Sequence, residues 1–332
     1  MRNADIIIIK SKYGDVNMKT ILFCRKEVLV MSATSYIEYV DKFTNLYGEW
    51  LFRSVKPTIA KKYENMETQE GQIVIIAPHP DDEAIVGGLP LRLKQELGCS
   101  VLNIPVTFGS KKERQFERYR ELQDSCDYLG FKIVLPDNGK ALESVNMHTR
   151  IEEPDRWKRS VMLISNIIAQ IRPSLIFVPH STDSHPSHIG SHFLLLDALN
   201  DLSENGDHFN GLIIETEYWS NMPNPNLLVE LSKDTVSDLV TAISLHKGEV
   251  ERNPYHLMLP ATFMDNVRRG CESIGSKGSP APNFVFAAIY RMSKFVDGEL
   301  ESALDKGKAI SIHDNLADTI TAAQMQLLSE LL

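Results

Sequence analysis

The chain has 332 residues, of which 43% are hydrophobic and 24% are charged, an ordinary composition for a globular protein with one large or two modest domains. Its net charge of −9 argues against a nucleic-acid partner or an anionic membrane surface, and no apolar run approaches the roughly 18 residues of a membrane-spanning helix. The four cysteines are widely spaced, unlike those of a zinc ribbon or a dense disulfide framework, which favours a reducing, cytoplasmic compartment.

Residues 1–70 are expected to form an N-terminal accessory segment without a catalytic cluster. Apolar runs at 6–9 and 20–23 predict two short strands, and residues 35–66 predict a helical stretch rich in aromatic side chains. Such a segment is typical of an accessory layer or of a contact between subunits, so a homo-oligomer is one expectation.

From residue 71 onward, apolar strand-like runs alternate with longer helical patterns. The predicted strands are 73–77, 101–107, 132–135, 175–179, 212–216 and 284–290. The predicted helices are 84–97, 112–129, 156–171, 189–201, 233–250 and 315–331. This alternation is typical of an α/β fold with a mainly parallel, Rossmann-like sheet and helices on both faces. We expect this domain to cover residues 71–300, followed by a C-terminal helical tail over residues 301–332.

The first chemically rich motif is His79-Pro80-Asp81-Asp82-Glu83, directly after the predicted strand 73–77. In an open α/β sheet, ligands bind at the carboxyl ends of the strands. An imidazole with a neighbouring carboxylate can hold a divalent metal, and a second carboxylate can move protons beside it. The alternative is a polar turn in which Asp81 or Asp82 caps the following helix.

The second motif runs from His180 to His188 and follows the predicted strand 175–179, which places it at the same sheet edge. It holds three histidines and one aspartate within nine residues, a dense group of metal-ligand types. The alternative is a solvated loop. Two such motifs at one edge favour a common metal site over chance clustering.

Together the two motifs resemble the PIG-L/LmbE family of zinc-dependent de-N-acetylases, and the similarity covers about residues 71–292. The resemblance implies an LmbE-like fold and a zinc site formed by His79, Asp82 and His188, with Asp81 as the general base. Two imidazoles and one carboxylate leave a coordination position open for water, as catalytic zinc requires. The resemblance also implies a small-molecule substrate, an amino sugar of N-acetylglucosamine type that loses its N-acetyl group by hydrolysis.

Four further residues are predicted to act in or beside this site. His185 lies outside the ligand set and could donate to the developing oxyanion or help to protonate the leaving amine. Many relatives carry Asp between the two histidines of the second motif, where this chain has Ser187, so Asp183 becomes the candidate that orients His185 instead. Arg118 and Trp219 are candidate substrate contacts, against the alternatives of a solvated helix face and a core aromatic residue.

Two other functions are compatible with these residues. Two histidines and one carboxylate also form the ligand set of mononuclear non-haem iron oxygenases, so Fe²⁺ is an alternative to Zn²⁺. Those enzymes more often use a jelly-roll framework than alternating strands and helices. The third interpretation is a catalytically silent sugar-binding relic that retains the site.

Overall fold

The structure is a computed structural model that describes residues 38, 40–46, 71–275 and 280–330, with side chains described up to residue 323. Contacts divide the chain into two units, Met1–Ser54 and Val55–Leu332. In the first unit, residues 40–46 are helical, within the helix predicted for 35–66. The remainder of that helix and the strands predicted at 6–9 and 20–23 lie outside the described residues. The domain boundaries at residues 70 and 300 stay predictions.

The described part of the second unit is built around one nine-stranded sheet. Its strands are β1 Gln72–Ala77, β2 Ser100–Pro105, β3 Lys132–Ile133, β4 Leu175–Pro179, β5 Leu212–Thr216, β6 Leu227–Leu231, β7 Phe286–Val296, β8 Glu299–Ser302 and β9 Lys308–Ile310. They lie in the order β3-β2-β1-β4-β5-β7-β6-β9, and β8 pairs with β7. Neighbouring strands from β3 to β5 are all parallel, whereas β7 runs antiparallel to β5 and β6. The predicted α/β class with a mainly parallel sheet is confirmed.

Helices cover both faces of the sheet, which is why strands β1 and β4 are apolar at nearly every position rather than at alternate positions. In β1, residues 73–77 are 0% exposed, and every residue of β4 is buried as well. The side chains of β1 divide between two apolar clusters, with Ile73 and Ile75 in one and Val74 and Ile76 in the other. Burial on both faces makes these strands a rigid support for the loops that follow them.

Ten α-helices are described in the second unit, together with 3-10 turns at Lys112–Arg114 and Tyr255–Leu257. The helices are α1 Asp82–Ile85, α2 Gly88–Leu97, α3 Gln115–Leu129, α4 Met147–Glu152, α5 Pro154–Ile171, α6 Pro186–Glu204, α7 Lys233–Ser244, α8 Lys247–Arg252, α9 Leu259–Ser273 and α10 Leu316–Glu330. Most of them match a predicted helix to within a few residues.

Two predicted helices are each divided in the structure. The helix predicted for 84–97 breaks at Gly87, where a Cβ atom would lie 2.8 Å from the carbonyl oxygen of Glu83 and 2.9 Å from Leu239 Cδ2. The helix predicted for 233–250 breaks at residues 245 and 246, because the buried His246 side chain turns inward to hydrogen-bond Glu83 at 2.8 Å. The second break accompanies a contact between distant segments, which a helical sequence pattern does not contain.

Strands β6, β8 and β9 and helices α4 and α9 are not predicted from the sequence. Strand β9 and half of β8 lie in the predicted helical tail of residues 301–332 but pair within the sheet. Strand β6 is a five-residue run, and helix α4 has only six residues, so each is short for a periodicity argument. Helix α9 does carry a signal, since Leu259, Phe263 and Val267 are spaced at i, i+4 and i+8 and are all buried.

The strand order reverses next to β1. The chain moves from β1 outward to β2 and β3, then returns to β4 on the other side of β1. The loops after β1 and β4 therefore leave the sheet at its topological switch point, where open α/β sheets form their ligand crevice. These two loops are the ones that carry the two sequence motifs.

Candidate metal centre

Two imidazoles, one from each loop, converge on a carboxylate oxygen of Asp82. His79 follows β1, Asp82 begins α1, and His188 lies in the first turn of α6. Asp82 Oδ2 is 3.4 Å from His79 Nδ1 and 3.5 Å from His188 Nε2. The predicted ligands are thus brought together, although 109 positions separate His79 from His188 in the numbering of the chain.

The chemistry of this group fits a bound cation. Metal–ligand bonds of roughly 2.0–2.1 Å in a tetrahedral site put neighbouring ligand atoms about 3.3 Å apart, close to the distances around Asp82 Oδ2. His188 is 0% exposed, and neither of its ring nitrogens makes a hydrogen bond of good geometry. An orphaned buried nitrogen is costly unless another partner occupies its lone pair. A divalent ion between these side chains would supply that partner.

A third imidazole stands beside this group. Ligand atoms of His79, His185 and His188 all lie within 4.8 Å of one another. The rings of His79 and His185 pack edge to face, with centroids 4.9 Å apart. These three imidazoles could themselves hold a cation, and it is the family resemblance that assigns His185 to the reaction rather than to the metal.

Asp82 and His188 shift each other's pKa in opposite directions. Burial alone would raise the pKa of Asp82, but the imidazoles of His188 and His79 outweigh it and lower that pKa. Burial would lower the pKa of His188, but Asp82 and Asp183 outweigh it and raise that pKa. The carboxylate is thus held in the anionic form, and a metal would displace the proton from the imidazole.

Asp183 faces His188 rather than the ring of His185. Its Oδ1 atom lies 3.4 Å from His188 Nδ1 and accepts a hydrogen bond from the backbone N–H of His185 at 2.8 Å. Its Oδ2 atom accepts from the backbone N–H of Trp219 at 3.3 Å. Asp183 therefore orients a candidate metal ligand and ties two loops together. It does not contact the ring of His185, so it does not take the place of the Asp that many relatives carry where this chain has Ser187.

Asp183→Asn is expected to weaken metal binding about 10- to 100-fold, because a carboxylate behind a ligating imidazole fixes its orientation and raises its basicity. Competition with a chromogenic chelator measures the affinity. The control is Asp197→Asn in helix α6, which disturbs a carboxylate bonded to Arg150 and Trp157 outside the site. Equal affinities of Asp183→Asn and the wild-type protein would remove Asp183 from the metal centre.

Asp81 occupies the N-cap position of α1, but its side chain makes no capping hydrogen bond. Its carboxylate instead accepts from the Tyr255 hydroxyl at 2.5 Å, and its Oδ1 atom lies 3.8 Å from Arg118 Nη2. Burial, and next the neighbouring Asp82 carboxylate, raise the pKa of Asp81 to about 7 in the metal-free protein. A nearby cation would lower that pKa again. The side chain is thus placed to exchange protons, and the simple capping alternative does not explain it.

His185 is the N-cap of α6, and its Nδ1 atom accepts from the backbone N–H of Ser187 at 3.3 Å. Because Nδ1 accepts, a neutral ring carries its proton on Nε2. Burial, followed by the charges of His79 and His188, lowers the pKa of His185. The ring is therefore a neutral hydrogen-bond donor at neutral pH.

These groups open into a cleft of about 580 Å³. Asp81, His185, Arg118 and Trp219 all line it, so the structure brings both candidate substrate contacts to the same space as the candidate base. Trp219 is 52% exposed, which contradicts the alternative that it is a core residue. Arg118 is mostly buried and donates to the Pro80 carbonyl at 2.9 Å, so it is not part of a solvated helix face.

Two site residues are missed by sequence reasoning. Tyr255, which donates to Asp81, lies in a 3-10 turn that carries no recognisable motif. Glu249 is buried in the cleft wall, where it accepts from Arg114 at 3.0 Å and lies 3.7 Å from Arg118 Nε. Both come from the segment after α7, and only the fold brings that segment to the first motif.

His192 has a structural role one turn beyond His188. It is 3% exposed, and its Nδ1–H donates to the carbonyl of Pro179 at 2.9 Å. Burial lowers the pKa of His192 from 6.5 to about 4. In the unfolded chain the ring binds a proton near pH 6.5, so the unfolded state gains protons first as the pH falls.

The contribution of His192 to stability is therefore complete above pH 6.5 and declines as the pH falls towards 4. From pH 7 to pH 5 the loss is about 2 kcal/mol. The variant His192→Asn retains a donor towards Pro179 without a titrating ring. The free energy of unfolding is measured with urea at pH 7 and pH 5. We expect its decrease between these pH values to be about 2 kcal/mol smaller in the variant than in the wild-type protein. Parallel pH profiles for the two proteins would contradict this assignment.

Residues 74–199 match the family model described as PIG-L, the GlcNAc-PI de-N-acetylases. This segment contains both motifs, and the resemblance predicted from them is confirmed.

Two curated relatives are named as deacetylases of 1D-myo-inositol 2-acetamido-2-deoxy-alpha-D-glucopyranoside. The relative from Corynebacterium glutamicum is 25% identical over 245 residues, which cover 59% of this chain and 83% of the relative. The relative from Thermomonospora curvata is 28% identical over 153 residues, which cover 38% of this chain and 52% of the relative.

Among solved structures, GalB, the 4-carboxy-2-hydroxymuconate hydratase of Pseudomonas putida KT2440, aligns with a TM-score of 0.52 at 12% identity. The alignment covers 67% of this chain and 95% of that chain, and it shows the fold alone. In the described part of this chain, no helix is both long and apolar enough to span a bilayer. The cytoplasmic location and the homo-oligomer stay predictions.

Proposed function

Because residues 74–199 match the PIG-L family, we propose that this protein is a metal-dependent hydrolase that removes the N-acetyl group from an amino sugar of N-acetylglucosamine type. The observation that carries the proposal is the convergence of His79, Asp82 and His188 on one point, with the separate carboxylate of Asp81 beside it. The amide chemistry is supported by the site and the family, and the sugar by the family alone.

In this proposal His79, Asp82 and His188 hold the metal, which is zinc, with iron as the alternative. A bound divalent ion would supply an activated water and polarise the acetyl carbonyl. Asp82 stays anionic among its imidazole neighbours, and Asp183 fixes the orientation of His188.

Asp81 is the proton carrier. Its carboxylate removes a proton from the attacking water and returns it to the sugar nitrogen when the amide C–N bond breaks, giving acetate and the free amine. The hydrogen bond from Tyr255 to Oδ2 restricts rotation of the carboxylate and leaves Oδ1 for this exchange. Burial raises the pKa of Asp81, and a cation bound beside it would lower that pKa again, which favours the base form that the first half of the cycle requires.

His185, Arg118 and Trp219 complete the site. The Nε2–H of His185 donates to the oxyanion of the tetrahedral intermediate or to the departing amine. Trp219 offers an exposed aromatic face at the cleft, on which an apolar face of a sugar ring can stack. Arg118 borders the cleft beside Asp81, and we propose that it also contacts the substrate.

The variant His185→Ala is expected to keep one metal ion per chain and to lower kcat about 100-fold, because one donor to a developing oxyanion contributes on the order of 10²–10³ in rate. Single-turnover acetate release measures the chemical step, and elemental analysis measures the metal. A variant with unchanged kinetics would remove His185 from the reaction.

The function is tested by an acetate-release screen over N-acetylated amino sugars with zinc-loaded and iron-loaded protein, beside the Asp81→Asn variant. The proposal expects release from at least one N-acetylglucosamine compound by the wild-type protein alone. Oxygen uptake by anaerobically purified, iron-loaded protein in place of acetate release would favour the oxygenase alternative. Metal binding with turnover of no sugar in the screen would favour the silent relic.

A further inference from the structure

Asp81 has an unusual backbone conformation, with φ 111° and ψ −28°. A side-chain-bearing residue rarely adopts a positive φ of this size, and such a conformation persists only where the surroundings over-determine it. Residue 81 is not a glycine, so the surrounding contacts must stabilise this conformation, and the contacts of the Pro80–Asp81 peptide are the ones to examine.

Those contacts are present at both ends of that peptide. The carbonyl oxygen of Pro80 accepts a hydrogen bond from Arg118 Nη2 at 2.9 Å. The N–H of Asp81 donates to Glu83 Oε2 at 2.9 Å. Two charged side chains, one from α1 and one from α3, therefore hydrogen-bond the same peptide group. Hydrogen bonds with a charged partner are stronger than those between neutral groups.

Glu83 is itself fixed from behind. It is 0% exposed, and its Oε1 atom accepts from Ser125 Oγ at 2.6 Å and from His246 Nε2 at 2.8 Å. Ser125 and His246 are also 0% exposed. The carboxylate thus accepts from three donors, which fix its orientation. The position of Asp81 therefore depends on where α3 and the α7–α8 junction lie.

We propose that Glu83 and Arg118 act as a peptide clamp that holds the Asp81 backbone in its strained conformation, with Ser125 and His246 as the support of Glu83. Glu83 is then a positioning residue, which acts through the backbone of Asp81. The inference rests on the proposed function in one respect, since it takes Asp81 as the proton carrier. Because a misplacement of about 1 Å can cost roughly 10²-fold in rate, the clamp affects kcat more than substrate binding.

The test compares Glu83→Ala, which removes the acceptor, with Glu83→Gln, which retains an oxygen for the Asp81 N–H. We expect Glu83→Ala to keep its metal, to lower kcat about 100-fold and to change KM by less than about threefold. Glu83→Gln should recover most of that loss, whereas Glu83→Met, which fills a similar volume without an acceptor oxygen for the Asp81 N–H, should not. Unchanged kcat in a folded, metal-loaded Glu83→Ala protein would overturn the proposal.

Ser125→Ala covers the case in which Glu83→Ala does not fold. It removes one support of Glu83 and should lower kcat several-fold. Its matched control is Tyr128→Phe in the same helix, which removes a buried hydrogen bond to Asp238 of 3.0 Å outside the site. Both variants should lose similar stability, but only Ser125→Ala should lose kcat. Equal kcat in the two variants would overturn the proposal.

A crystal structure of a Glu83 variant judges the clamp independently of activity. The clamp predicts that the φ of Asp81 relaxes to a negative value in Glu83→Ala and stays near 111° in Glu83→Gln. A wild-type protein that releases no acetate would end the proposed function but leave this comparison intact. A φ that stays positive in Glu83→Ala would end the clamp alone.

Discussion

Asp81→Asn is expected to bind metal as the wild-type protein does and to lose about 10²- to 10⁴-fold in kcat, the range that a positioned general base contributes. Asparagine keeps the size of the side chain and can still accept from Tyr255, but it cannot take a proton from water. Asp81 is not among the groups that surround Asp82 Oδ2, so the metal should stay. Elemental analysis and acetate release from the same preparation give the two numbers.

The control for this prediction is Glu143→Gln, which removes another carboxylate that lines the cleft. Glu143 is half-exposed and pairs with Lys112 and Arg156, away from Asp81, so its loss should change kcat less than about twofold. Loss of metal from Asp81→Asn, with metal retained by Asp82→Asn, would show that the roles of the two carboxylates are reversed.

Asp82→Asn and His188→Ala are each expected to weaken metal binding by at least about 100-fold, since removing a ligand should cost more than removing the group that orients it. Asp82 Oδ2 is the common neighbour of both imidazoles, and His188 has no other good partner for its Nε2 atom. Titration against a chromogenic chelator measures both affinities. Activity should fall in parallel and return at high metal concentration where binding is restored.

The control is His208→Ala, because His208 is an exposed histidine that lies outside the candidate centre and lines a different cavity. It should bind metal like the wild-type protein. Wild-type affinity in His188→Ala would show that the metal, if any, binds elsewhere.

The sequence predicts the site because both motifs directly follow strands that are apolar at every position. Residues 73–77 and 175–179 have the continuous apolar composition that is typical of strands buried on both faces, and such strands in a parallel sheet end at the same edge. Residue types then supply the chemistry, as with His79 and Asp82. The convergence of the two loops follows from the fold class, without knowledge of any long-range contact.

The parts that sequence reasoning does not reach depend on contacts between distant segments. Tyr255 donates to Asp81 across 174 positions of the chain, and His246 donates to Glu83 across 163. The orientation of Asp183 was also not predictable, because loop geometry alone decides that it faces His188. Neither residue spacing nor periodicity encodes such pairings.

Anomalous X-ray diffraction at the zinc absorption edge, on crystals of zinc-loaded protein, tests the metal centre most directly. We expect one strong peak per chain, bonded to His79, Asp82 and His188 at about 2.0–2.2 Å, with at least one further position held by water. A peak elsewhere, or no peak in crystals whose protein binds zinc in solution, would contradict the account.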